Sequence, residues 1–252
     1  MNMLKFKAVV TLILLVVLTM SVTIFTEGRA QTPVVDPAAT EILKKMTDYL
    51  GSLKQFSVHT QNTLEDVLDS GHRIDLDVSA SVTVSRPNKI SAERKGDMVD
   101  QVFYYDGKAL TLYNPPSKVY ATEPAPDTFE EMFSYLYSSL GFGTPISDLV
   151  YPDAFPLLMQ DVTFAAVIGK SNINGVKCDH LLFSRPGVDF QVWVSEGSKP
   201  LPLKYVVTDT GIAGLMSVVT TMSDWNVAPA LDDDEFTFVP PKGVQKINFM
   251  PF

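Results

Sequence analysis

Residues 73–87 read RIDLDVSASVTVSRP, and no other stretch limits the fold of this chain more. Ile74, Leu76, Val78, Ala80, Val82 and Val84 share one face of an extended strand, while Asp75, Asp77, Ser79, Ser81, Thr83 and Ser85 share the other. Such alternation requires a sheet with one face buried and one in water. The same period-2 pattern runs from Phe56 to about Glu123 and resumes at 162–168, 176–183, 189–195, 202–208, 215–225 and, briefly, 236–239. Asn174-Gly175, Pro186-Gly187, Glu196-Gly197 and Thr210-Gly211 punctuate the later strands. Strands joined by turns this short pair antiparallel, because parallel neighbours need long crossovers. A sheet of so many strands curls or closes, and its concave face offers helices an apolar surface.

Two helices are predicted. In DPAATEILKKMTDYLG, Asp36 is a candidate N-cap, Pro37 sits at the first helical position, Ile42, Leu43, Met46, Tyr49 and Leu50 form a stripe, and Gly51 is expected to end the helix. In APDTFEEMFSYLYSSLGFG, Asp127 and Glu130 have capping-box spacing, and Phe129, Met132, Phe133, Leu136 and Leu140 recur at helical spacing before Gly141 or Gly143. This second helix belongs to an interruption of the strands at about 124–160, where Thr144-Pro145 could start another helix that Pro152 and Pro156 would keep short.

The hairpin VFYYDGKALTLY places Asp106-Gly107 as a two-residue turn, with Tyr105 opposite Lys108, Phe103 opposite Leu110 and Gln101 opposite Leu112. Phe103, Tyr105, Leu110 and Leu112 then continue the apolar face of 74–84, and Tyr104 and Tyr113 decorate the convex side with no special role. Strand parity also aims Arg86 inward, just before Pro87. Its guanidinium must then reach water at the rim, pair with a carboxylate or bond carbonyls at a helix end; a bulge would instead turn it to solvent.

The chain opens MNMLKFKAVVTLILLVVLTMSVTIFTEGRA, a basic start, an apolar run and small residues, which reads as a secretory signal over residues 1–30 cleaved after Ala30. The run is also near the length of an uncleaved membrane anchor. Residues 31–252 are expected to form one domain, periplasmic or otherwise exported. The formal charge is −9, and becomes −11 once Lys5, Lys7, Arg29 and Glu27 are gone, which leaves no basic patch for nucleic acid. Cys178 is the single cysteine, so no internal disulfide forms.

Three segments, VSRPNKI (84–90), YYDGKALTLYNPPSKVYAT (104–122) and DDDEFTFVPPKGV (232–244), resemble in order the periplasmic lipoprotein carrier LolA superfamily. KCDHLLFSRPGVDFQVWVSEGSKPLPLKYVVT (177–208) is closer still to an uncharacterised exported family, domain of unknown function 2092. The resemblance implies a mainly β (α+β) fold: an antiparallel half-open β-barrel with an N-terminal helix and a helical lid on its concave face. It also implies an apolar cavity for acyl chains, and a role for Arg86 as the lid latch. The expected cavity lining is Ile74, Leu76, Val78, Val82, Val84, Phe103, Tyr105, Leu110 and Leu112 from the sheet, with Phe129, Met132, Phe133 and Leu136 from the lid. The 123–160 stretch is longer and more aromatic than the carrier's lid, so cargo and route need not carry over.

Catalytic patterns are weak by comparison. Cys178 and His180 share a strand face, but no third group completes a nucleophilic set, and a lone cysteine reads as a small buried hydrophobe. Asp232–Glu235 lacks the alternation of a calcium loop and reads as a solvated turn. His59 and His72 have no metal-ligand spacing, Asp75 and Asp77 lie on the Ser/Thr-rich solvent side, and GFGTPI at 141 lacks the third glycine of a dinucleotide loop. The expectation is a non-enzymatic, cofactor-free and metal-free monomer that binds an apolar ligand: a lipid, acyl chain or lipidated molecule. A protein-interaction or envelope-sensing module on the same fold, with an envelope protein as partner, is the alternative.

Overall fold

The computed structural model describes residues 35–140, 146–211 and 216–249; the signal segment, Gly141, Gly143 and Thr144-Pro145 fall outside them. Helix α1 (Pro37–Ser52) starts where Asp36 accepts a bond from the Ala38 N–H at 2.8 Å, a cap contributing about 1 kcal/mol. Gly51 does not end it. The helix continues to Ser52, and a Cβ at Gly51 would lie 2.2 Å from the Pro152 carbonyl oxygen, so glycine is required there by close backbone approach.

Strands β1 (Gln55–Val67), β2 (Arg73–Ser85), β3 (Lys89–Gly96), β4 (Val99–Tyr105), β5 (Ala109–Asn114) and β6 (Val119–Pro124) form one antiparallel meander. Helices α2 (Phe129–Leu140), α3 (Ser147–Val150) and α4 (Ala154–Met159) follow. A second meander comprises β7 (Phe164–Ile173), β8 (Val176–Arg185), β9 (Val188–Ser195), β10 (Pro202–Asp209) and β11 (Ser217–Asn226). The two join where β1 pairs antiparallel with β11, and a short β12 (Gln245–Lys246) adds to β6 in parallel. The result is a mainly β fold, one curved 12-stranded sheet in the order β12-β6-β5-β4-β3-β2-β1-β11-β10-β9-β8-β7, which stays open.

The core lies on the concave face. Leu43, Met46 and Leu50 of α1 cluster with Phe183, Phe190 and Val192, and α1 lies against β7, β8 and β9. Phe129, Met132 and Phe133 of α2 join the same core from the other side, beside Tyr105 and Leu110.

Four sequence expectations are corrected. The helix stop at Gly51 is one, as above. The hairpin pairs Tyr105 with Leu110 and Phe103 with Leu112, a shift of two residues. Asp106 accepts bonds from the N–H groups of both Lys108 and Ala109 (2.9 and 2.8 Å), which widens the turn; a shift of two preserves the faces. The α2 cap is Thr128, not Asp127: its hydroxyl accepts from the Glu131 N–H at 3.2 Å and lies 3.3 Å from the Glu131 carboxylate. Residues 236–239 form no strand. A 3₁₀ turn (Asp233–Phe236) leads into a segment whose Phe238 packs at 5.0–5.6 Å from the rings of Tyr104, Tyr113 and Tyr120, so the convex tyrosines are covered rather than decorative.

Candidate functional site

Strand register writes the inner wall as rungs. The first runs Phe56, Val84, Ile90, Tyr105, Leu110; the second Val58, Val82, Ala92, Phe103, Leu112; the third Thr60, Ala80, Arg94, Gln101; the fourth Asn62, Val78, Gly96, Val99; and the last Leu64, Leu76. All five side chains of the first rung are buried; α2 covers its Tyr105 end, where Tyr105 and Phe129 meet at 6.3 Å and the Tyr105 hydroxyl donates to the Pro126 carbonyl. Further along, the side chains shrink to Ala80, Ala92 and Gly96. A Cβ on Gly96 would lie 2.1 Å from the Asp77 carbonyl oxygen, so that position admits no side chain.

Between the sheet, with its small Ala80 and Ala92, and the helices lies a cavity of about 300 Å³. Its sheet wall comes from rungs one to five, its roof from Phe133, Leu136, Ile146 and Val150, and Phe249 of the C-terminal segment closes one side. Most of the lining is aliphatic or aromatic; the polar exceptions are Thr60, Asn62, Arg94, Asp97 and Ser147. Asn62 is satisfied from within the wall: its amide donates to Thr60 Oγ1 (2.9 Å) and the Val78 carbonyl (3.0 Å) and accepts from Thr220 Oγ1 (2.8 Å).

Of the sheet residues named from sequence, Leu76, Val78, Val82, Phe103, Leu110 and Leu112 line this cavity, as do Phe133 and Leu136 of α2. Ile74, Val84, Tyr105, Phe129 and Met132 do not. Val84, Tyr105, Phe129 and Met132 are buried in the packed core, and Ile74 lies beyond the last lining rung, opposite Asp66. Thr60, Asn62 and Leu64 of β1, Ile90, Ala92 and Arg94 of β3, and Phe249 are lining residues that sequence reasoning does not single out. Each β1 and β3 residue has the parity of the inner face, but only the pairing of β1 and β3 with β2 shows which rung it occupies.

Arg86 points inward. Its guanidinium donates to the carbonyls of Leu53 (3.0 Å), Val150 and Leu50 (3.4 Å), and lies over the Phe56 ring at 5.8 Å. One cation thereby bonds the C-terminal end of α1 and the end of α3, where orphan carbonyls and the helix dipole favour positive charge. Burial lowers its pKa to about 10. Elsewhere the roof is tied down by Tyr135, whose hydroxyl donates to Glu123 (2.6 Å), and by Tyr205, whose hydroxyl reaches Asp148 at 3.4 Å.

Cys178 and His180 lie away from the cavity, on the convex face. The thiol is buried with Trp193 and Val206, 3.5 Å from the Val176 carbonyl, and burial pushes its pKa up. His180 stacks on Trp193 at 4.0 Å and shares a hydrogen bond with Gln191. The His59 and His72 rings lie 3.4 and 3.0 Å from the hydroxyls of Ser81 and Ser70. Among the described residues, no group of three or more His, Cys, Asp or Glu side chains is placed to hold a metal ion.

A family model described as "Predicted periplasmic protein (DUF2092)" matches residues 39–250, so the chain belongs to that family. Among curated proteins no sequence matches it. Solved structures that it is similar to include an uncharacterised conserved protein from Thermus thermophilus (12% identity, TM-score 0.49, 84% of this chain and 99% of that one). Others are the lipoprotein LppX of Mycobacterium tuberculosis (16%, 0.45, 78% and 100%) and a LolA superfamily protein from Nitrosomonas europaea (13%, 0.40, 79% and 97%).

Proposed function

From membership of a family described as periplasmic, we propose that this chain is an exported, non-enzymatic binding protein for an apolar ligand, a lipid or acyl chain. The signal at residues 1–30 directs export and is removed after Ala30, and residues 31–252 act as one carrier domain with a helical lid at about 124–160. The observation that carries this reading is the cavity itself. A stable sheet has every reason to fill the space under its lid, since each buried aliphatic side chain adds roughly 1.5–3 kcal/mol. Here the wall holds Ala80 and Ala92 where larger residues would close the volume, and the void matches the lower end of small-molecule sites, about 300–1,000 Å³.

Arg86 is the lid latch in this reading. By bonding carbonyls of α1 and α3 it holds the roof element that carries Val150 against the sheet, and the lid opens when those bonds exchange for water.

The protein purified from the envelope, extracted under denaturing conditions and analysed by lipid mass spectrometry, should release lipid or fatty acid in near-stoichiometric amount. The delipidated protein should gain thermal stability when the ligand returns. Protein without bound lipid and without any thermal response to lipids contradicts the carrier, and a polypeptide recovered in its place would support the envelope-protein alternative.

A further inference from the structure

The C-terminal segment changes face. Its first part is anchored on the convex side: Phe236 is 2% exposed, with Lys89 Nζ 6.0 Å from the centre of its ring, and Phe238 packs at 5.0–5.6 Å from the rings of Tyr104, Tyr113 and Tyr120. A turn follows, in which Gly243 takes a φ of +85° and the Val244 N–H donates to the Pro241 carbonyl at 3.2 Å. Strand β12 then runs along the outer edge of β6, and beyond it Phe249 lines the cavity on the concave side. The segment is a strap that passes round the edge of the sheet, from the tyrosine-covered face to the wall of the container.

The two ends of the strap are held unequally. At the convex end two aromatic side chains are packed. At the cavity end β12 is two residues long and has a neighbour on one side, with the Gln245 N–H donating to the Lys118 carbonyl (3.0 Å) and the Ile247 N–H to the Tyr120 carbonyl (2.8 Å). Gln245, Lys246, Ile247 and Asn248 are exposed, and Phe249 is half-buried against the core. Backbone bonds this open exchange with water at little net cost, which puts the segment at the low end of local stability. Among the described residues the other borders of the cavity are tied more firmly: the sheet wall is paired rung by rung, α2 is bonded to β6 through Tyr135 and Glu123, and α3 is held by Arg86 and, through Asp148, by Tyr205.

Resting on the apolar-ligand reading above, we propose that this strap is the entrance of the cavity: residues 245–249 swing out about the turn at Pro241–Val244, the ligand passes, and the Phe249 ring closes behind it. The convex anchor at Phe236 and Phe238 stays in place and the roof keeps its Arg86 bonds, so exchange of ligand does not wait for the helical lid. A phenyl ring suits this part. It has no polar atom to satisfy on leaving or returning, and an incoming apolar ligand covers the same surface that the ring uncovers.

Stopped-flow fluorescence of the delipidated protein with N-phenyl-1-naphthylamine, a neutral apolar dye that brightens in apolar surroundings, tests this. Val119→Cys combined with Gln245→Cys places two thiols on residues paired across β6 and β12, so that oxidation ties the strap down and reduction releases it; Cys178 is buried and does not compete. The oxidised form should take up and release the dye at least about tenfold more slowly than the reduced form of the same protein, with dye affinity within about threefold, as expected when a gate and not the site is altered. Phe249→Ala should speed both uptake and release at least about fivefold. Equal uptake in the two redox states, with the disulfide verified by mass, overturns the entrance and leaves the apolar cavity standing. No dye binding to the unaltered protein overturns both. If the cysteine pair does not close, Phe249→Ala decides the matter, and an unchanged uptake rate in that variant overturns the entrance.

Discussion

The two meanders of this sheet present the same concave face to helices and finish differently. In the half built from β7–β11, α1 lies against β7, β8 and β9, and Phe183, Phe190 and Val192 are buried in the core it shares, with Phe183 and Phe190 stacked at 4.9 Å. In the half built from β1–β6, Phe129 and Met132 of α2 are buried with Tyr105, and the wall beyond holds small Ala80 and Ala92 beside a cavity of about 300 Å³. One half is a core and the other is a container. What separates them is side-chain size along the rungs, since both halves have the same antiparallel strand pairing and the same alternation.

The largest expected effect falls on the packed half. Phe183→Ala or Phe190→Ala should cost about 3–5 kcal/mol, read as a lowered midpoint in urea unfolding, with ligand affinity in the surviving folded protein little changed. A cost below about 1 kcal/mol would erase the distinction between the halves.

Next comes the latch between them. Arg86→Met leaves the carbonyls of Leu50, Leu53 and Val150 without this donor, at about 1–3 kcal/mol, and should speed amide exchange at the ends of α1 and α3 before it affects β8–β10. Uniform acceleration over the whole sheet would mean that Arg86 serves global stability alone.

A complementary change acts on the container. Ala92→Phe should fill the void and weaken ligand binding at least about tenfold, while stability shifts by no more than about 1–2 kcal/mol, because the added ring meets space and not packed atoms. An undiminished affinity would place the ligand elsewhere.

The smallest effect concerns Asp148, whose carboxyl pKa is raised, first by burial, with Arg185 and the Tyr205 hydroxyl acting against it. A carboxyl with a raised folded pKa contributes stability below its unfolded pKa and loses it as pH rises through the folded value. Asp148→Asn should therefore raise the melting temperature at pH 7 and lose that advantage on acidification. A gain independent of pH would point to packing instead of charge.

The faces of this sheet are legible in the sequence and the rungs are not. Alternation assigns Phe103 and Leu112 to the inner wall whether the hairpin turn has two residues or more, because the actual shift is two and parity survives it. Rung position depends on pairing between strands, which a single strand does not display. Hence Tyr105 and Val84, expected at the cavity, lie in the packed core, while Ala92 and Arg94 carry no local sign of their place on the cavity wall. The lid helix is visible from its apolar spacing, yet its cap is Thr128 and not Asp127, as short polar residues side by side compete for the same role. Phe236 and Phe238 look like alternating strand residues. Phe238 instead covers Tyr104, Tyr113 and Tyr120, a long-range contact with no local signature.

Hydrogen exchange of the delipidated protein with and without a saturating single-chain ligand tests the central claim most directly. Protection should rise in β1–β5 and α2 and stay unchanged in β8–β10, whose concave side chains Phe183, Phe190, Val192 and Tyr205 are already buried in the core. Protection that rises equally in both halves, or only in β8–β10, would contradict a container confined to the first meander.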